Sequence, residues 1–172
     1  MPPSRPSCNY RTSARGSERA LHSRPDEPMP SNDEKDPYNL HRFVEAQNPV
    51  YEQACSELRR GQKSGHWMWF IFPQIAGLGS SSTARFYAIS SLTEAQAYLH
   101  HSILGPRLEE CCGIVNGVEG HSADEIFGYP DTLKFRSSLT LFARAAGENS
   151  VFHKALDKYF HGEFDPLTLE RL

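Results

Sequence analysis

Asp131, Lys134 and Ser138 stand at i, i+3 and i+7 of one stretch of the chain, with Ser137 beside them. A helix would line up this acid, cation and hydroxyl along a single stripe. Arg136 and Thr140 form a second pair, at i and i+4, on another side. Short hydroxyls between basic side chains can hold a phosphate or a carboxylate through charge-assisted hydrogen bonds, although an ordinary solvated helix face reads the same way. Lys134 and Ser138 would act as a nucleophile pair only if the lysine pKa were strongly depressed.

Upstream, His66-Trp67-Met68-Trp69-Phe70-Ile71-Phe72-Pro73-Gln74 holds both tryptophans of the chain in an almost wholly apolar run. Such a run must be buried or serve as a binding wall, and each buried indole N–H needs a partner. His66, three residues after Lys63, fits a proton carrier or ligand donor backed by Trp67 or Trp69, and equally a residue that satisfies backbone groups where the chain enters the core. Gln74 offers a donor and an acceptor, either to a base or amide edge or to the Gly77/Gly79 loop. Gly77-Leu78-Gly79-Ser80-Ser81-Ser82-Thr83 lacks the G-K-[ST] ending of a P-loop and reads as a flexible lead-in to a helix cap, with Arg85 just inside. Glu45, Glu52 and Asp131 are the acids available for proton transfer. His100 and His101 diverge by about 100° on a helix, and no His, Cys or carboxylate set has ligand spacing, so neither a metal nor a cofactor is expected.

The elements that must position these groups are helical. Asp36-Pro37 and Asn48-Pro49 each set a capping residue before a proline. Leu40, Phe43, Val44 and Gln47, then Val50, Ala54, Cys55 and Leu58, follow helical spacing up to a stop at Gly61. Further helices are predicted over Thr83–Ile89, over Thr93–His100, from Gly105-Pro106, and after a capping box at Ser122-Ala123-Asp124-Glu125. The longest pattern spans 131–146 with Phe135, Leu139 and Phe142 on its core face. A helix through Phe152, Leu156, Tyr159 and Phe160 ends at Gly162, and Asp165-Pro166 opens a terminal one. Only Trp67–Phe72 could be a strand, with nothing to pair with.

With 18 basic and 21 acidic residues, a net charge of −3, the chain has no nucleic-acid footprint. No apolar stretch is long enough to cross a membrane. The four cysteines show no C-x-x-C spacing and suit reduced thiols in the cytoplasm. Residues 1–35 are rich in Pro, Ser and Arg and too poor in apolar side chains to fold. Their early arginines resemble an organelle transit peptide, which makes mitochondrial import a minor alternative.

Several of these strings also run in the order of a known family. They are Leu40-His41-Arg42-Phe43-Val44-Glu45-Ala46-Gln47, His66 through Gln74, Tyr87-Ala88-Ile89, Leu104-Gly105-Pro106-Arg107-Leu108, Ile126-Phe127-Gly128 and Leu133-Lys134-Phe135-Arg136-Ser137-Ser138-Leu139-Thr140-Leu141-Phe142. Over about residues 38–172 the chain resembles the uncharacterised family catalogued as domain of unknown function 1810, also called Rv-1873-like. The resemblance implies a compact, mainly helical domain and no assigned activity. Members often carry the label "calpastatin", but inhibition of that kind calls for extended, repeated segments that fold on their target, unlike this unrepeated, aromatic-rich chain.

The expected architecture is all-α: one compact domain of about seven to nine short helices over residues 36–172, behind a disordered tail. The expected function is binding of a small anionic or nucleotide-like ligand. Trp67, Trp69 and Phe72 would form the wall, and Lys63, His66, Gln74, Arg85, Lys134, Arg136 and Ser138 the polar contacts. The alternatives are a glycosidase or hydrolase acting on a nucleotide or ADP-ribose-type substrate with one of the three acids, and a non-catalytic module for a protein partner.

Overall fold

The computed structural model describes residues 35–172. The tail expected over residues 1–35 lies outside the described residues except for Lys35. Ten helices are present among them: α1 (His41–Gln47), α2 (Tyr51–Arg59), α3 (Met68–Ile71), α4 (Ser82–Phe86), α5 (Leu92–His100), α6 (Leu104–Gly117), α7 (Ala123–Phe127), α8 (Asp131–Ala146), α9 (Val151–Phe160) and α10 (Pro166–Leu169). The architecture is all-α, as the spacing predicted. None of these helices is long and apolar enough to cross a membrane.

α8 is the axis of the packing and touches α3, α5, α7, α9 and α10. Its core face is the expected one, with Phe135, Leu139 and Phe142 fully buried. The Phe135 ring stacks on Phe127 at 4.3 Å and meets Phe72 edge-on at 4.9 Å, which binds α7 and the aromatic run to the same point. α6 closes the other side through α2, α5 and α9. Cys55, Cys111 and Cys112 are free and buried.

Helix starts follow side-chain chemistry. Ser81, Ser91, Ser122, Ser150 and Asp165 each accept a backbone N–H at the first turn, and Ser122 with Glu125 completes a capping box. Four boundaries differ from the expectation. Asp36 is not the N-cap of α1; its carboxylate reaches forward to the N–H groups of Leu40 and His41. Asn48 ends α1 rather than starting α2. α6 begins at Leu104, which leaves Pro106 inside its first turn. α4 stops at Phe86, because Ile89 instead makes an isolated parallel bridge with Ile75. Trp67–Phe72 is no strand: its centre is the single helical turn of α3.

At Gly105 the backbones of α5 and α6 approach closely. A Cβ built there would sit 2.0 Å from the carbonyl oxygen of Leu99, whereas one at Gly113, on the exposed face of α6, would meet nothing within 4 Å. Gly105→Ala is expected to lower unfolding stability by about 3 kcal/mol, at the upper end of the cost of overpacking. Gly113→Ala should raise it by roughly 0.5–1 kcal/mol through backbone entropy. Urea melts of both variants check this, and equal effects would contradict the close approach.

Candidate functional site

The site is built outward from a buried acid. Glu57 on α2 is 1 % exposed, and Oε2 accepts from the backbone N–H of Ser64 and of Gly65 and from Trp67 Nε1, each at 2.9 Å. Gln53 Nε2 donates to Oε1 at 2.8 Å. Burial pushes this carboxyl up, but the four donors outweigh it and lower the pKa to about 2. Glu57 therefore stays ionised and pins the 64–67 loop, where a Cβ on Gly65 would lie 2.6 Å from the Trp67 ring.

That loop places Lys63. Its ammonium donates to Gly65 O at 2.6 Å, pairs with Asp131 Oδ2 at 2.7 Å, and lies 5.0 Å from the Trp67 ring centre. Asp131 Oδ1 is held by Lys134 at 2.9 Å, and Lys134 in turn sits 4.8 Å over the Trp69 ring. Burial raises the Asp131 carboxyl, yet the hydrogen bonds and charges of Lys134 and Lys63 prevail and hold it below the usual carboxylate range. Two lysines share one carboxylate, which leaves a unit of positive charge beside a half-buried indole.

Trp69 and Lys134 open onto a cavity of about 450 Å³ between α8, α10 and the segment 74–84. Gln74, Arg136, Ser137 and Asp165 add polar groups, and Leu78, Leu133 and Leu167 add apolar ones. Ser80 and Ser81 stand at the entry to α4. α10 is sutured to α8 by hydroxyls: Ser137 Oγ donates to Asp165 Oδ2 at 2.9 Å, and Asp165 N donates to Thr140 Oγ1 at 2.8 Å. The Arg136 guanidinium is spent on this junction, with bonds to Glu163 O and Phe164 O.

Of the ten residues expected to form the wall and the contacts, Trp69, Gln74, Lys134 and Arg136 line the cavity, and Lys63 supports it through Asp131. His66 is exposed in a shallow groove on the other side of Trp69, with Phe70, Phe86 and Tyr87. Four of the ten are placed differently from the expectation. Trp67 is core rather than wall, since its N–H serves Glu57, and Phe72 is core as well. Arg85 is exposed and lines no part of the cavity. Ser138 is 1 % exposed, faces the interior and has no hydrogen-bond partner among the described residues. At about 100° per residue, Ser138 falls about 40° from Phe142 and about 60° from Phe135 on the core face, whereas Ser137 lies about 160° from Phe135 and takes the cavity.

Glu45 is exposed and paired with His41, and Glu52 is exposed on α2. Neither lines the cavity. Among the described residues, no group of three or more His, Cys, Asp or Glu side chains gathers as a metal site would. Sequence reasoning missed Glu57 and Asp165. Glu57, four residues after Gln53, looks like any helix-surface acid, and Asp165 read only as a helix start.

The depressed Glu57 pKa sets a pH dependence. The folded value, about 2, lies below the ordinary 4.5. Its stabilisation is thus complete above the ordinary pKa and is lost as pH falls through the folded one. The shift corresponds to about 3 kcal/mol. Glu57→Gln should cost about that much at pH 7, and the gap to wild type should close between about pH 4.5 and pH 2. Chemical denaturation at stepped pH measures the gap; a gap that stays constant with pH would rule out this role.

Three comparisons place the chain. The family model described as "Protein of unknown function (DUF1810)" matches residues 37–172. Among solved structures, the conserved hypothetical protein Rv1873 from Mycobacterium tuberculosis is similar, at 59% sequence identity and a TM-score of 0.78. The match covers 80% of this chain and 98% of that one. No curated protein matches the chain. The matched span contains every residue of the cavity, and the chain belongs to the DUF1810 family, whose function is unknown.

Proposed function

We propose that this protein binds a small, anionic, nucleotide-like ligand in the cavity between α8, α10 and the 74–84 segment. The observation that carries the reading is Lys134 poised 4.8 Å over the Trp69 ring, inside a concavity of about 450 Å³. The volume falls within the ordinary range for small-molecule sites, about 300–1,000 Å³. A planar ring stacks against Trp69, between the apolar side chains of Leu78, Leu133 and Leu167. A phosphate or carboxylate takes the charge that Asp131 leaves unbalanced on Lys134 and Lys63. Gln74 supplies a donor and an acceptor at the same wall.

Binding is favoured over hydrolysis because the acids named for proton transfer are badly placed for it. Glu45 and Glu52 lie away from the cavity, and Asp131 is held ionised between two ammonium groups. A protein-interaction role for the aromatic run loses its main support with Trp67 buried.

Titration with adenosine monophosphate and guanosine monophosphate, followed by tryptophan emission and thermal shift, tests the reading. Wild type should show altered emission and a raised Tm. Trp69→Phe should remove most of the optical response, because Trp67 sits in the core. Lys134→Ala should weaken binding about tenfold or more, the scale of one charge-assisted hydrogen bond. Arg85→Ala and Ser138→Ala should bind like wild type. Ser138→Ala should also be as stable or up to about 1 kcal/mol more stable, since an unpaired buried hydroxyl is removed. No response from wild type at millimolar nucleotide would overturn the reading.

A further inference from the structure

We infer that Asp165 is the cavity's acceptor for a hydroxyl donor, so that the ligand is a ribonucleotide-like phosphate ester with free sugar hydroxyls rather than a bare anion or a dehydroxylated planar phosphate. This rests on the binding reading above and narrows it. Asp165 lines the cavity together with Trp69 and Lys134. Its Oδ2 is saturated, accepting from Ser137 Oγ at 2.9 Å, Thr168 N at 3.1 Å and Thr168 Oγ1 at 2.6 Å. Its Oδ1 accepts no hydrogen bond from the described residues, and no cation among them lies within the 4.0 Å of an ion pair. Its backbone N–H is tied to Thr140.

Capping α10 needs less than this. A serine or an asparagine would satisfy the Thr168 N–H without bringing a charge into a cavity. What the structure adds is a carboxylate held by neutral donors on one oxygen, with the second oxygen unused. Carboxylates are acceptor-only groups, and an oriented one selects for a donor. The same charge disfavours a second phosphate near α10, while Lys134 favours the first one near α3. A ribose between a base and one phosphate presents hydroxyls in the middle of the molecule, between the stacking surface and the anion site. Trp69, Lys134 and Asp165 all line the one cavity, so the base, phosphate and sugar hydroxyls of a single nucleotide have a counterpart each.

The test compares adenosine monophosphate, 2′,3′-dideoxyadenosine monophosphate and orthophosphate on the full chain, by calorimetry, with wild type, Asp165→Asn, Trp69→Ala and Lys134→Ala. Wild type should bind the dideoxy nucleotide about ten- to hundredfold more weakly than the ribonucleotide, the scale of a hydrogen bond to a charged acceptor. Asp165→Asn should lose the same factor for the ribonucleotide and almost nothing for the dideoxy compound, which is the coupling expected of a direct contact. Asparagine still caps α10, so Tm should change little. Equal affinity of wild type for the two nucleotides overturns the proposal, and needs no variant. If Trp69→Ala and Lys134→Ala then abolish binding, the cavity reading survives without it. Failure of wild type to bind either nucleotide overturns both.

Discussion

A charge with almost no contact with water must be answered by donors, and Glu57 is where this fold meets that demand. Four hydrogen bonds converge on its carboxylate, three of them from a loop that begins only seven residues later. Removing one partner of such a group exposes its full desolvation cost, so the loop between α2 and α3 is not free to choose another path. That path decides which tryptophan goes inward. Trp67 is drawn into the core by its N–H bond to Glu57, and Trp69, two residues on, is left half-buried at the surface. The same loop turns Lys63 back onto Asp131 at the head of α8. One buried acid thus sets both the aromatic wall and the charge beside it.

The opposite wall is made by a different device. α8 carries phenylalanine and leucine on its core face and hydroxyls toward α10, and those hydroxyls carry the tertiary contact. Thr140 Oγ1 donates to the Arg136 carbonyl and accepts from Asp165 N, while the single Ser137 hydroxyl proton is shared between the Leu133 carbonyl and Asp165 Oδ2. Side-chain hydroxyls of this kind weaken an isolated helix slightly. Here they dock a four-residue helix that buries little apolar surface: Thr168 is its buried residue, while Leu167 and Leu169 are exposed. The cavity lies between a wall held by a buried charge and a wall held by hydroxyls.

The core was legible in the sequence because burial has a period. Phe135, Leu139 and Phe142 announce the inner face of α8, and Ser122 with Glu125 announces the start of α7 by reciprocal capping. Half of the candidate site was legible for the same reason: Lys134 and Arg136 follow from the α8 pattern, and Trp69 and Gln74 from an apolar run that had to end somewhere. The rest was hidden for other reasons. Ser138 stands three residues after Phe135 and four before Phe142, so its spacing fits the core face as well as the Asp131/Lys134 stripe, and its hydroxyl argued for the wrong one. Trp67 and Trp69 are distinguished by the hydrogen bond that the Trp67 indole donates to Glu57 across ten residues, and nothing in the run itself marks which is inside.

Set side by side, three carboxylates show why the cavity is chemically distinct from the core. Glu94, also buried, is neutralised by Arg42 and by the Ser90 N–H and hydroxyl, so that both its oxygens are used. Glu57 pairs with no cation among the described residues, but its four donors again use both oxygens. Asp165 shares the second pattern on one oxygen and stops there. A buried carboxylate that is fully satisfied fixes structure, and a half-buried one left open at a single atom fixes structure while keeping an acceptor available. Asp131 makes the complementary arrangement in cations, one acid for two ammonium groups. The cavity therefore has an open acceptor on the α10 side and, on the α3 side, a surplus positive charge beside the Trp69 indole. An apolar molecule would leave both polar demands standing, and a simple ion would meet only one of them. The ligand that removes the most unfavourable desolvation is one that is anionic at one end, donor-bearing along its middle and planar where it meets Trp69.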